Sequence, residues 1–281
     1  MSLLKFIVRT NLLSAVAAFF ITLTTLAYAG IQADYIFASI SFFYIFSMYS
    51  INNYFEKEFL KLSNPYKYVI YEKFGKSLLI VSLAAMAASI FMALQYNAVT
   101  IAVLTGSYAL GFMYSTAPVK QVIRRVKPGF FQKLYNSKIV TIFGWVVITV
   151  LIPILGTGMS ITHFTTLGGY VFTLIFLRTT LLDLIAFQGD LIIGRETLPL
   201  WFGSDNMRIL SSIVSAICIA VFGYSAIATH HYLFLIFILA IIYLLILMNI
   251  INRLNYLISL KYEVLVDVSF IFVILIYFLV R

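Results

Sequence analysis

Residues 165–190 read TTLGGYVFTLIFLRTTLLDLIAFQGD. Between Thr165 and Phe187 the only charges are Arg178 and Asp183. A helix needs about 20 predominantly apolar residues to cross the hydrocarbon of a bilayer, and an ionisable side chain in that medium is costly and marks a partner or a function. The stretch therefore reads as a membrane helix with a cation inside it and a polar end, Gln188-Gly189-Asp190.

The reading extends in both directions. Of the 281 residues 63% are hydrophobic and 10% charged, with a mean hydropathy of +1.04; a soluble domain has roughly 45–50% and about 25%. These proportions exclude a water-soluble globule. Apolar blocks between polar breaks predict nine spans, at 12–33, 35–51, 77–95, 98–114, 139–156, 165–187, 209–229, 232–251 and 264–280. The expected fold class is all-α, a polytopic bundle of nine transmembrane helices forming one domain over residues 1–281. Lys5 and Arg9 before an apolar run ending at Ala27-Tyr28-Ala29 imitate a signal peptide. The run exceeds the 7–15 residues of a typical signal core, so an uncleaved first span is expected. A single cysteine, Cys218, and three histidines without ligand spacing leave no disulfide framework and no zinc site.

Net charge is +9, and its placement explains it without nucleic acid. If nine spans alternate sides, 17 of the 19 Lys and Arg fall on one side, in the N-terminal segment and the 2/3, 4/5, 6/7 and 8/9 connections. Arg178 lies within a span and Arg281 ends the chain on the other side. Positive charge accumulates in cytoplasmic loops. The N-terminus and the long connections are thus expected in the cytoplasm, and the C-terminus opposite.

Of ten acids, only Asp34 is expected on the outer side. Two polar clusters end even-numbered spans. Asn52 and Glu56 are about 40° apart around a helix, and Asp183 and Asp190 about 20°, so each pair shares a face. Two readings fit. Both faces meet at a cytoplasmic mouth as oxygen ligands of the kind Mg²⁺ takes together with a substrate phosphate, or they are interfacial carboxylates paired with nearby lysines.

Asn52-Asn53-Tyr54-Phe55-Glu56-Lys57-Glu58 with Ser63-Asn64-Pro65 resembles the first motif of the UbiA superfamily of intramembrane prenyltransferases, Asn-Asp-x-x-Asp-x-x-x-Asp followed by Asn-x-Pro. Asp183 to Asp190, with Gly194-Arg195-Glu196-Thr197-Leu198-Pro199 and Phe202-Gly203, resembles the second. Tyr114-Ser115-Thr116-Ala117-Pro118-Val119-Lys120 is similar to the Tyr-Ser-x-x-Pro-x-x-Lys element between them. Asn53, Leu60 and Ala186 stand where the family carries aspartates.

The resemblance implies helices around a lipid-facing cavity, with Mg²⁺ as cofactor. It also implies transfer of a polyprenyl group from its diphosphate to a lipophilic acceptor inside the membrane, with a quinone-precursor aromatic as one acceptor class. Asn52, Glu56, Asp183 and Asp190 are the implied metal and catalytic residues. Lys67, Lys120 and Arg178 are the phosphate candidates, and Tyr114 a cavity aromatic. Arg9 and Asn11 resemble the Arg-x-Asn before the first span, at the acceptor's way in. The competing class is a non-catalytic or altered prenyl-lipid-binding protein, or a transporter.

Overall fold

In the computed structural model, which describes residues 6–7, 9–115, 139–158, 161–193, 197–229, 233–253 and 260–280, each apolar block becomes helix and no strand occurs among the described residues. The elements are α1 (Leu12–Tyr28), α2 (Tyr35–Phe55), α3 (Lys57–Ser63), α4 (Pro65–Ala93), α5 (Ala98–Ser115), α6 (Ile139–Thr157) and α7 (Ile161–Ile193). Then follow α8 (Leu198–Phe202), α9 (Ser204–Thr229), α10 (Leu233–Arg253) and α11 (Leu260–Val280). Six of them, α2, α4, α6, α7, α9 and α11, are long and apolar enough to cross a membrane, and shorter apolar helices occupy the other three expected spans in α1, α5 and α10. The chain is a multi-pass helical membrane protein.

Packing runs around a ring: α1 on α2, α2 on α4, α5 against both, α6 on α5, α7 on α6, then α9, α10 and α11, with α11 returning to α1. α7 is the most buried of the six long helices and also touches α3. At about 1.5 Å per residue its 33 residues measure about 50 Å, well beyond a hydrocarbon core of about 30 Å. Its polar end therefore projects past the membrane.

The connections differ from expectation. Residues 57–76, read as part of a long loop, are almost wholly helical in α3 and the first turns of α4. Charge keeps a residue out of hydrocarbon but does not keep it out of a helix. What interrupts the helix is Asn64-Pro65: the Asn64 side chain accepts from the Lys67 amide at 3.1 Å, and proline fills the first helical position, where a missing N–H costs nothing. At the other end of α2, Asp34 caps by accepting from Ile36 N at 2.8 Å and Phe37 N at 3.3 Å, and its second oxygen takes the Tyr96 hydroxyl at 2.6 Å.

Polar side chains inside the bundle satisfy one another. Thr22 donates to Ser41 at 2.7 Å, and Ser41 to the Ile148 carbonyl at 3.2 Å, inside a π-helical turn over Val147–Leu151 that precedes Pro153. A wider turn before a residue lacking an amide leaves a carbonyl that a neighbouring hydroxyl can take. The strongest tie is charged. Arg178 of α7 donates to Asp267 of α11 through Nε at 3.0 Å and Nη2 at 2.7 Å, and Nη2 also reaches Ser14 of α1 at 3.0 Å. The guanidinium lies 4.8 Å from the Phe270 ring centroid.

At the polar end of α7, Gly189 sits directly on α3. A Cβ there would lie 2.7 Å from the Leu62 carbonyl oxygen and 2.8 Å from the Ser63 Cα. Both are backbone atoms and cannot swing aside. The lack of a side chain thus sets how closely the end of α7 meets the segment after α2.

Two substitutions test this packing by thermal unfolding in detergent. Gly189→Ala should destabilise the protein by about 1–3 kcal/mol, the usual cost of overpacking, and an unchanged midpoint would refute the close approach. Asp267→Ala strands a buried guanidinium and should cost about 3–5 kcal/mol, most of it recovered in an Arg178→Leu/Asp267→Leu double variant.

Candidate active site

α2, α3, α4, α7 and α11 converge on one polar cavity. Asn52 and Glu56 enter from the end of α2, Lys67 from the first turn of α4, and Arg178 and Asp190 from α7. Asn11 lines it too, so six residues singled out in the sequence are brought together. The shared helical face of the first cluster is observed directly, since Asn52 Nδ2 lies 3.4 Å from Glu56 Oε2. Asp183 is fully buried seven residues back from Asp190 on α7 and is not among the lining residues. Lys120 and the Tyr114 side chain lie outside the described residues.

Each position has a local cause. Phe55 ends α2 and Glu56 caps it, its amide donating to the Asn52 carbonyl at 2.9 Å, so the acid stands at the bend into α3. Asp190 follows Gly189, and the contact of Gly189 with Leu62 and Ser63 carries that acid onto α3. Lys67 extends to Asn11, its Nζ 3.1 Å from Oδ1. Asn11 is in the left-handed region at φ 58°, which asparagine tolerates better than most side chains. Arg9 stacks over Tyr66 at 5.2 Å. Arg178 reaches the cavity wall already held by Asp267 and Ser14, so its charge is balanced within the bundle.

The apolar positions fall in the same place. Leu60 and Ala186, where the motifs carry aspartate, both line the cavity. So do three residues not singled out as site residues in the sequence, Tyr49, Asn64 and Glu263. Asn64 was visible as the amide directly before Pro65, whereas Glu263 lies about 200 residues away, in the first turn of α11, with no local signal linking it to the motifs.

Among the described residues no three His, Cys, Asp or Glu side chains are grouped closely enough to form a metal cage. The donor set is nevertheless one that Mg²⁺ takes. Glu56 and Asp190 are 6% and 1% exposed, they and Asn52 offer oxygen, and Asn52 Oδ1 is buried with no hydrogen-bond partner among the described residues. Mg²⁺ is usually held by one or two carboxylates completed by substrate phosphates and water rather than by an all-protein cage. The residues fit the ion in that form.

A second cavity continues from the first. Tyr49, Asn52 and Thr141 line both. Beyond them the walls are mainly apolar, with Ile45, Met48, Leu110, Phe143 and Trp145, and the volume is about 260 Å³, just under the roughly 300–1,000 Å³ of ordinary ligand sites. Gly111 makes room here, because a Cβ would run into the end of the Met48 side chain. Trp145 is fixed by donating to the Tyr49 hydroxyl at 3.0 Å and by stacking on Phe270. A charged head and a hydrocarbon tail can therefore be taken up end to end.

No family model and no curated protein matches the chain by sequence. Solved structures do match. A UbiA homologue from Archaeoglobus fulgidus bound to GPP and Mg²⁺ aligns with a TM-score of 0.59 at 15% identity, over 97% of this chain and 99% of that one. The homologue bound to DMAPP and Mg²⁺ gives 0.59 at 14% identity over the same shares. A digeranylgeranylglyceryl phosphate synthase gives 0.58 at 12% identity, over 99% and 96%. The likeness runs almost end to end, and the chain has the fold of the UbiA superfamily.

Proposed function

We propose that the chain is an intramembrane prenyltransferase, one domain over residues 1–281, moving a polyprenyl group from its diphosphate to a lipophilic acceptor. The observation that carries this reading is the continuity of the polar cavity with the apolar one at Tyr49, Asn52 and Thr141. Neighbours of the same fold binding GPP or DMAPP with Mg²⁺ support it. Asn52, Glu56 and Asp190 would hold Mg²⁺ by their oxygens, with a diphosphate completing its shell, and Asp183, buried behind Asp190, would steady that end of α7. When bound, Mg²⁺ offsets negative charge on the departing pyrophosphate.

The chain's own residues do the rest. Lys67 meets the diphosphate, held at the cavity by Asn11; Lys120 of the 4/5 connection adds a second cation. Arg178, paired with Asp267, shapes the junction more than it adds net charge. The allylic C–O bond breaks with its electron pair leaving on pyrophosphate, the acceptor's electron pair forms the new C–C or C–O bond, and the acceptor loses a proton. An apolar, water-poor cavity keeps water from trapping the electrophilic carbon. Ring faces such as those of Tyr49 and Trp145, with Tyr114 from α5, are suited to a developing positive charge. The acceptor is lipophilic, with a quinone-precursor aromatic as one class that fits. The 17 basic residues expected on one side support a cytoplasmic polar cavity and N-terminus, with the C-terminus opposite.

A second reading is favoured by one observation: Leu60 and Ala186 leave the cavity short of two carboxylates. On that reading the protein binds a prenyl diphosphate without transferring it.

One assay separates them. Purified protein given GPP and MgCl₂ should release pyrophosphate, and chelator should stop it. Glu56→Ala and Asp190→Ala should each lower the rate by about 10²–10³-fold with the unfolding midpoint retained, as for loss of a group stabilising transition-state charge. GPP binding without pyrophosphate release, with any acceptor offered, would leave the non-catalytic reading. Undiminished release in both variants would end the metal mechanism.

A further inference from the structure

We propose that Glu263 is a ligand of the cation that accompanies diphosphate in the polar cavity, supplying from α11 a carboxylate that positions 60 and 186 do not. The inference rests on the prenyl-diphosphate reading above.

α11 carries two acids four residues apart, Glu263 and Asp267, about 40° apart on the helix. Both are 5% exposed. Asp267 has its cation built in, with Arg178 at 2.7 Å. Glu263 does not. Among the described residues its bond is to a neutral amide, Asn64 Nδ2, 2.5 Å from Oε1, and it forms no ion pair. A carboxylate taken out of water without a cation is expensive, and structures rarely keep one unless something positive comes to it. The first turn of a helix supplies only about half an elementary charge, which accounts for an acid at this point in α11 but not for its facing a cavity.

What it faces is decisive. Glu263 lines the same cavity as Glu56 and Asp190, and so do the apolar side chains of Leu60 and Ala186. Asn64 joins the acid to the rest of the site: one amide, oxygen toward the Lys67 N–H and nitrogen toward Glu263, links the cap of α4 to α11. The three acids do not draw together into a cage. A cation held by so few carboxylates would leave positions for phosphate oxygens, so Mg²⁺ and diphosphate should bind together more tightly than either binds alone.

Calorimetric titration of MgCl₂ into the full chain in detergent, with and without inorganic pyrophosphate, tests this without any turnover. Wild type should bind Mg²⁺ with pyrophosphate present. Glu263→Gln keeps an acceptor for Asn64 but removes the charge, and should weaken that binding at least about tenfold with an unchanged unfolding midpoint, as for loss of a ligand or its close support. Adding Leu60→Asp to Glu263→Gln should restore much of the loss, because position 60 lines the same space. Wild-type Mg²⁺ affinity in Glu263→Gln overturns the proposal and leaves Glu263 as a partner of Asn64 only. If that variant does not fold, Glu263→Asp, which keeps the charge but withdraws it by one methylene, takes its place; unaltered affinity there overturns the proposal equally. A wild-type protein that takes up neither Mg²⁺ nor pyrophosphate overturns the prenyl-diphosphate reading itself, and this inference with it.

Discussion

A buried charge must meet its opposite, and the interior of this molecule is organised by that constraint. Arg178 lies mid-helix in an apolar segment and is buried. Asp267 and Ser14 answer it from α11 and α1, so the pair closes three helices that sequence separates by up to 253 residues. α11 must return to α1 for the charge to be matched, and the ring of helices is the arrangement that lets it. Deeper in the bundle the same economy uses hydroxyls, with Thr22, Ser41 and the freed Ile148 carbonyl satisfying one another around the π-helical turn.

The helices were legible because hydrocarbon imposes a length and a composition. Spans at 139–156 and 264–280 fall within two residues of the ends of α6 and start within four of α11. Where hydrocarbon stops, hydropathy stops reporting. α4 begins at Pro65, twelve residues before the apolar block at 77, because helix continues through Lys67, Glu72, Lys73 and Lys76 once Asn64 has capped it. The cap itself was written in Asn64-Pro65, but as a local signal that a search for apolar runs passes over.

The candidate site divides the same way. Asn52 with Glu56 could be placed on one face from helical periodicity, and Asp190 could be paired with them because both clusters end helices on one side. Glu263 could not. Its link to Asn64 spans 199 residues, and no spacing in the chain encodes which helix end will pack beside α3. Arg178 shows the converse: a charge in a span announces a partner, but the sequence held two acids in the start of span nine, and only packing separates the one that meets Arg178 from the one that faces the cavity.

Gly189 connects these levels. Glycine before an acid at the end of a membrane helix is a weak pattern in itself, and its meaning comes from the Leu62 carbonyl lying where a Cβ would stand. That contact brings the α7 backbone against α3, and α3 is continuous through Asn64 with the cap of α4 and with Glu263. The acids from α2, α7 and α11 therefore share a cavity wall through backbone contact and one amide rather than through bonds among themselves. Carboxylates that face one cavity repel one another, and a cation with its phosphate is what a wall of this kind would take between them.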